Sequence, residues 1–177
     1  CNRSLLITAY DTGTIRLDFE SGVASVFTDS NSNALAVDET NKIAFIESTT
    51  NYGQKEIISI NYGTDSQERT MNINGISDID IYYMVADPYN KNLYFTIRNE
   101  NLIGKVGYEG GDVIMISFPL NSPGAMAIDT NTETIYISFK TGIMCMDYNG
   151  RIIRPLATAP LMPYSIVLDT INEKLYW

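Results

Sequence analysis

Asp11-Thr12-Gly13-Thr14 has the D-T-G-[ST] pattern in which one carboxylate shares a proton with a second, about 3 Å away, to split a peptide bond. That chemistry needs a second copy of the pattern, or a dimer that supplies it, and the chain has no second copy. Asp and Gly also favour tight turns for conformational reasons, so a turn is the expected role. Asp29-Ser30-Asn31-Ser32-Asn33 opens like a calcium loop, which continues with glycine at the sixth place and a bidentate glutamate at the twelfth. Ala34 and Thr40 stand there instead, with Glu39 one place early, so a polar connection is expected. Gly104, Gly107 and Gly110 are not spaced as a dinucleotide fingerprint and open no helix; they suit strand and hairpin geometry. Cys145 lies between Met144 and Met146 with no adjacent cation to lower its pKa, which predicts a buried, reduced thiol.

The chain has no histidine, which removes Ser-His-Asp and Cys-His catalysis, HExxH zinc sites and imidazole proton shuttling. Two cysteines, Cys1 and Cys145, cannot make a four-ligand zinc site or a dense disulfide framework. No cofactor or metal is expected. A composition of 45% hydrophobic and 19% charged residues, with 12 tyrosines, belongs to a core-forming chain rather than a disordered one. A net charge of −9 repels phosphate backbones and anionic lipid, so neither nucleic acid nor membrane insertion is expected of this segment. No apolar run approaches the roughly 20 residues that span a bilayer.

The elements that would position any site come from an internal repeat. ALAVDETNKIAFI (34–46), MVADPYNKNLYF (84–95), AMAIDTNTETIYI (125–137) and SIVLDTINEKLYW (165–177) share an apolar run, an aspartate, a polar stretch and an apolar-aromatic pair. The aspartates Asp38, Asp87, Asp129 and Asp169 are 49, 42 and 40 residues apart, and Phe45, Tyr94, Tyr136 or Tyr176 follows each by seven. A second column, Phe19, Tyr62, Tyr108 and Tyr148, recurs at 43, 46 and 40 residues, each at the end of a β-type run beside a glycine-bearing turn. Such spacing is the unit length of a four-stranded β-propeller blade. Short runs rich in Ile, Val, Tyr, Phe and Thr, bounded by Asn, Gly, Asp and Pro, agree with an all-β chain. The apolar runs predict innermost strands buried on both faces, and each aspartate an Asx-type turn into the second strand, with Asn41, Asn90 or Asn172 in support. The four aspartates repeat identically, so they are read as turn residues rather than a catalytic constellation.

Copies reading D-x₆-Y-[FW], such as DPYNKNLYFTI and DTINEKLYW, resemble the YWTD (LY) repeat of low-density-lipoprotein-receptor-type six-bladed β-propellers. The resemblance implies a β-propeller of four-stranded antiparallel blades, six in the full protein and incomplete here. The expected divisions are a partial blade (5–28), blades at about 34–71, 83–118 and 125–157, and the start of another at 165–177. A six-bladed ring would need roughly 90 further residues. On the same comparison Cys1 ends a preceding EGF-like module, and Asn2-Arg3-Ser4 is a glycosylation sequon with Asn2 as acceptor. One family position is missing: the aspartate that bonds across blades is replaced by Ser48, Ile97 and Phe139. Apolar packing is expected in place of that cross-blade bonding.

Loops 29–33, 72–82, 119–123 and 158–163, with 10–13, 47–55, 98–101 and 140–142, would share one propeller face. They offer Asp29, Glu47, Asp78, Asp80, Tyr82, Arg98, Glu100 and Lys140 as candidate ligand-binding residues. The resemblance implies an extracellular or cell-surface, non-enzymatic module that binds a protein ligand or neighbouring EGF-like and propeller modules. A nidogen-like matrix or filament component is the alternative reading. A metal-dependent propeller hydrolase is a third, and the inner strands supply few ligands for its axial metal.

Overall fold

The structure, a computed structural model, describes residues 4–9, 13–18, 24–28, 34–50, 52–63, 68–75, 79–117, 121–159 and 161–177. The chain is all-β, and one 3-10 turn at Arg98–Glu100 is the only helical element among the described residues. Strands β1 (Ser4–Ala9), β2 (Gly13–Asp18) and β3 (Ala24–Thr28) form a first sheet. β4 (Leu35–Asp38), β5 (Ile43–Thr49), β6 (Lys55–Asn61) and β7 (Glu68–Thr70) form the second in simple meander order. After the short β8 (Ile73–Asn74), the third sheet contains β9 (Ile81–Asp87), β10 (Asn92–Ile97) and β11 (Leu102–Gly107). β12 (Gly111–Asp112) pairs in parallel with β8, and β13 (Ile114–Ser117) completes the third sheet. The fourth is β14 (Met126–Asp129), β15 (Thr134–Phe139), β16 (Gly142–Asp147) and β17 (Ile152–Thr158), and β18 (Val167–Asp169) pairs with β19 (Lys174–Tyr176). Every pairing other than β8 with β12 is antiparallel.

The first strands of successive sheets lie side by side, β4 against β9, β9 against β14 and β14 against β18. Each sheet therefore stacks its broad faces on its neighbours, as the blades of a propeller do. Alternation along the second strand delivers side chains to both neighbours. Leu93, Phe95 and Ile97 face the second sheet in one core, while Tyr94 between them joins Ile103, Met126, Ile135 and Tyr148 in the next. Ile135 and Ile137 likewise turn back to the third sheet, and Tyr136 forward with Ala125, Ala127 and Leu175. Fully burying a side chain of this size contributes roughly 1.5–3 kcal/mol. Phe95 also needs Gly104 opposite it, because a Cβ there would lie 2.2 Å from the ring.

The first strands differ in how fully they are enclosed. Around β14 the run Ala125, Met126 and Ala127 is buried without a break, as the apolar pattern predicts. In β4 the buried Ala36 and Asp38 alternate with half-buried Leu35 and Val37, and Val167 of β18 is exposed.

Each first strand ends in the same turn. A carboxylate oxygen accepts backbone N–H bonds: Asp38 from Asn41 at 2.8 Å, Asp87 from Tyr89 and Asn90, Asp129 from Asn131, Asp169 from Ile171 and Asn172. The second oxygen accepts from the side chain three places on, Asn41 at 2.6 Å, Asn90 at 2.9 Å, Thr132 at 2.8 Å and Asn172 at 2.8 Å. Thr132 thus does in its copy what asparagine does in the others. The next residue is left-handed in all four, at φ 59° (Lys42), 55° (Lys91), 51° (Glu133) and 53° (Glu173). This conformation costs a non-glycine residue about 1 kcal/mol, which the paired side-chain bonds of the turn offset.

Candidate functional site

The aspartates do more than turn the chain. Tyr108 Oη, from the third strand of the third sheet, donates to Asp38 Oδ2 at 3.1 Å across the sheet boundary, and its ring lies 4.5 Å from Phe45. Tyr148 repeats the placement one sheet on, with its ring 5.4 Å from Tyr94 and its hydroxyl beside Asp87. Burial, and then the neighbouring carboxylate, raises the phenol pKa of Tyr108 and Tyr148 well above the ordinary tyrosine range. Burial does the same for Tyr94. Two places beyond Tyr94, Thr96 Oγ1 donates to the Gly124 carbonyl of the next sheet at 3.1 Å. Hydrogen bonding between sheets is therefore present, and the expectation that apolar packing replaces it is corrected. The donors are Tyr and Thr hydroxyls, which bond without the aspartate that Ser48, Ile97 and Phe139 displace.

Glu47 stands at the place of Thr96 and Ser138, two residues beyond the repeated aromatic, and all three are buried. It was read from sequence as part of an open loop. The structure puts it inside β5, fully buried at 0% exposure. A carboxylate survives there because Lys55 Nζ, on the adjoining strand, lies 2.7 Å from Oε1. The same ammonium reaches Asp80 Oδ1, ahead of β9, at 3.7 Å. Attraction to Glu47 and Asp80 outweighs the opposing desolvation and raises the Lys55 pKa. The Glu47–Lys55 pair lies within the second sheet, and only the longer Lys55–Asp80 contact reaches toward the third, where Thr96 at the equivalent place uses a hydroxyl.

The antiparallel order places the hairpin residues 52–54, 98–101 and 140–141 on one face with the connecting residues 79–80, 121–125 and 161–165. Asp80, Tyr82, Arg98, Glu100 and Lys140 lie there. Arg98 sits 4.8 Å from the Tyr82 ring centroid, worth roughly 0.5–1 kcal/mol at an exposed site. Asp80, Tyr82, Arg98, Ile81 and Asn99 line a depression of about 400 Å³. Glu100 is exposed in the 3-10 turn, and the neighbouring Asn101 side chain accepts from Ser122 N–H at 2.8 Å, tying that hairpin to the next connection. Lys140 is exposed, and its backbone N–H reaches the Asn121 carbonyl at 3.5 Å. Three large side chains not singled out from sequence share the face: Tyr52 (94% exposed), Leu161 (78%) and Tyr164 (74%). For Tyr52 its place in a polar hairpin was the available signal, since a large ring in a solvated turn buries nothing of its own fold, whereas Leu161 and Tyr164 stand in an apolar, proline-containing stretch that carried none.

Asp29, Asp78 and Asn2, with Cys1, Phe19 and the segments 10–12 and 29–33, lie outside the described residues. Gly13 begins β2 opposite Ala9, and Thr14 is buried. Cys145 is buried in β16, with Sγ 3.6 Å from the Arg154 carbonyl. Among the described residues, no three His, Cys, Asp or Glu side chains converge as a metal site would require. Tyr176 is half exposed at the flank of β19, and the Asp169 carboxyl is held below its ordinary pKa by the Asn172 side chain and then by backbone N–H groups.

No protein-family model matches the sequence, and no curated protein matches it. Solved structures do. The chain is similar to a chain in the crystal structure of a nidogen/laminin complex, with a TM-score of 0.81 and 15% identity, over 97% of this chain and 68% of that one. An auxiliary nutrient-binding protein from Bacteroides thetaiotaomicron gives a TM-score of 0.75 at 13% identity, over 97% and 53%. A gluconolactonase from Xanthomonas campestris gives 0.73 at 14%, over 97% and 63%. At these identities the likeness concerns the fold, which is that of a β-propeller built from four-stranded antiparallel blades.

Proposed function

We propose that the chain is a non-enzymatic, extracellular protein-binding propeller of the YWTD type within a larger mosaic protein, and that it binds through the face carrying hairpin residues 52–54 and 98–101. The observation that carries this reading is the gathering of Tyr52, Tyr82, Arg98, Leu161 and Tyr164 on that face. Aromatic residues and arginine dominate the energetics of protein interfaces. Tyr52 and Arg98 project from short hairpins between buried strands and Tyr82 stands in β9, so little ordering entropy opposes their part in association. Asp80, Glu100 and Lys140 supply a mixed polar rim. The similarity to a chain from a nidogen/laminin complex, a structure that contains a protein partner, supports protein binding by this fold.

Photo-crosslinking by face tests the reading. Benzoylphenylalanine replaces Tyr52 or Tyr164 in one pair of variants, and Tyr89 or Ile171, exposed on the opposite face, in a second pair. Each is irradiated in an extracellular-matrix extract. Discrete protein adducts are expected from the first pair only, and they should weaken with Arg98→Ala. Adducts from both faces alike, or from neither, refute the assignment.

A further inference from the structure

A second concavity lies on the opposite face, where the aspartate turns are. It is a cleft of about 810 Å³ between the second and third sheets, within the roughly 300–1,000 Å³ of small-molecule sites. We propose that this cleft binds a polyhydroxylated ligand, a saccharide.

The polar groups of the cleft are of both signs, and its asparagines are oriented by the fold. Asn41 donates its amide NH₂ to Asp38 at 2.6 Å and to the Pro88 carbonyl at 3.5 Å, which leaves its carbonyl oxygen as acceptor, and Asn90 donates one N–H to Asp87 at 2.9 Å, which leaves its carbonyl oxygen and a second N–H. Asn61 is oriented the other way: its Oδ1 accepts Gly63 N–H at 3.0 Å, leaving the NH₂ group as donor. Arg69 Nη1 from the second sheet meets Glu109 Oε2 from the third at 2.7 Å, so a guanidinium with spare donors and a carboxylate with a spare oxygen stand side by side. Ile43 and the Tyr108 ring contribute apolar surface at the base.

A hydroxyl both donates and accepts, so a run of hydroxyls can satisfy this mixture without leaving a partner bare. A phosphate, which only accepts, could use Arg69 and Lys91 but would set the Asn41 and Asn90 carbonyls and the Glu109 carboxylate against anionic oxygens. A purely apolar ligand would desolvate the amides with nothing in return, at about 1–3 kcal/mol each. A sugar also has a C–H face to lay on Ile43. The Asx turns that orient Asn41 and Asn90 are internal to the fold, so the acceptors are placed before any ligand arrives.

Saturation-transfer NMR with methyl glycosides of glucose, galactose, mannose and N-acetylglucosamine, and with the matching disaccharides, tests the proposal. Transfer to at least one is expected, with Kd near or below about 1 mM. Asn61→Leu, which removes the donor, and Ser59→Trp, which fills the cleft, should each weaken it at least tenfold, with thermal melting confirming that both variants fold. Arg98→Ala on the other face should leave it unchanged. A second arm compares a glycosylated protein with its enzymatically deglycosylated form. Binding of the glycosylated form alone identifies a protein-attached glycan as the source, whereas binding only of glycosides identifies a free saccharide. No transfer and no glycan-dependent binding, or transfer equally strong in both cleft variants, overturns the proposal. The protein-binding face is untouched by either result.

Discussion

Tyr108→Phe removes one hydroxyl and isolates the bond that joins the second sheet to the third. The ring keeps its contact with Phe45 at 4.5 Å, so the packing contribution stays. Asp38 keeps Asn41 N–H and Asn41 Nδ2, at 2.8 and 2.6 Å, so its carboxylate is not stranded. What is lost is a single buried hydrogen bond to a carboxylate at 3.1 Å, worth about 1.5–3 kcal/mol. For a chain of this length that lowers the melting temperature by about 3–12 °C. Chemical denaturation of wild type, Tyr108→Phe, Asp38→Asn and the double variant measures the coupling directly, and an interaction energy of about 1 kcal/mol or more is expected. Tyr164→Phe, at an exposed position, serves as the control and should fall within about 0.5 kcal/mol of wild type. Strict additivity of the two single changes, or a Tyr108→Phe loss no larger than that of the control, refutes the claim that this pair bonds the sheets.

Two further outcomes are expected. Glu47→Ala leaves Lys55 facing only Asp80 at 3.7 Å and should destabilise by roughly 3 kcal/mol, whereas Asp80→Asn, at a mostly exposed side chain, should cost under about 1 kcal/mol; equal losses in denaturation would contradict the buried-pair geometry. Tyr94, Tyr108 and Tyr148 have folded pKa values raised chiefly by burial, so their contribution is complete below about pH 10, where unfolded tyrosine ionises, and falls as pH rises further. The unfolded chain then binds fewer protons than the native one, and stability should drop by about 1.4 kcal/mol for each tyrosine between about pH 9 and 11. Melting curves taken from about pH 9 to 11 check the slope, and a flat profile would show the phenols to be accessible.

The sequence determined the parts of this protein that depend on neighbours a few places away. An aspartate that accepts N–H bonds from residues two or three positions on carries its turn wherever it occurs, so four copies of that turn, and the four-stranded units they punctuate, are legible in one dimension. The tertiary structure decided what those units do to one another. Asp38 and Tyr108 are 70 residues apart, and neither column of the repeat announces that it bonds to the other. Glu47 reads as a loop carboxylate until the register of β5 against β6 sets it opposite Ile57, buried, with the Lys55 side chain two places along reaching its carboxylate. Arg98 finds Tyr82 only because the β10–β11 hairpin and the entry to β9 meet on one face. Local hydrogen bonding is a property of the chain, whereas burial, pairing across blades and the composition of a face arise only when the sheets stack.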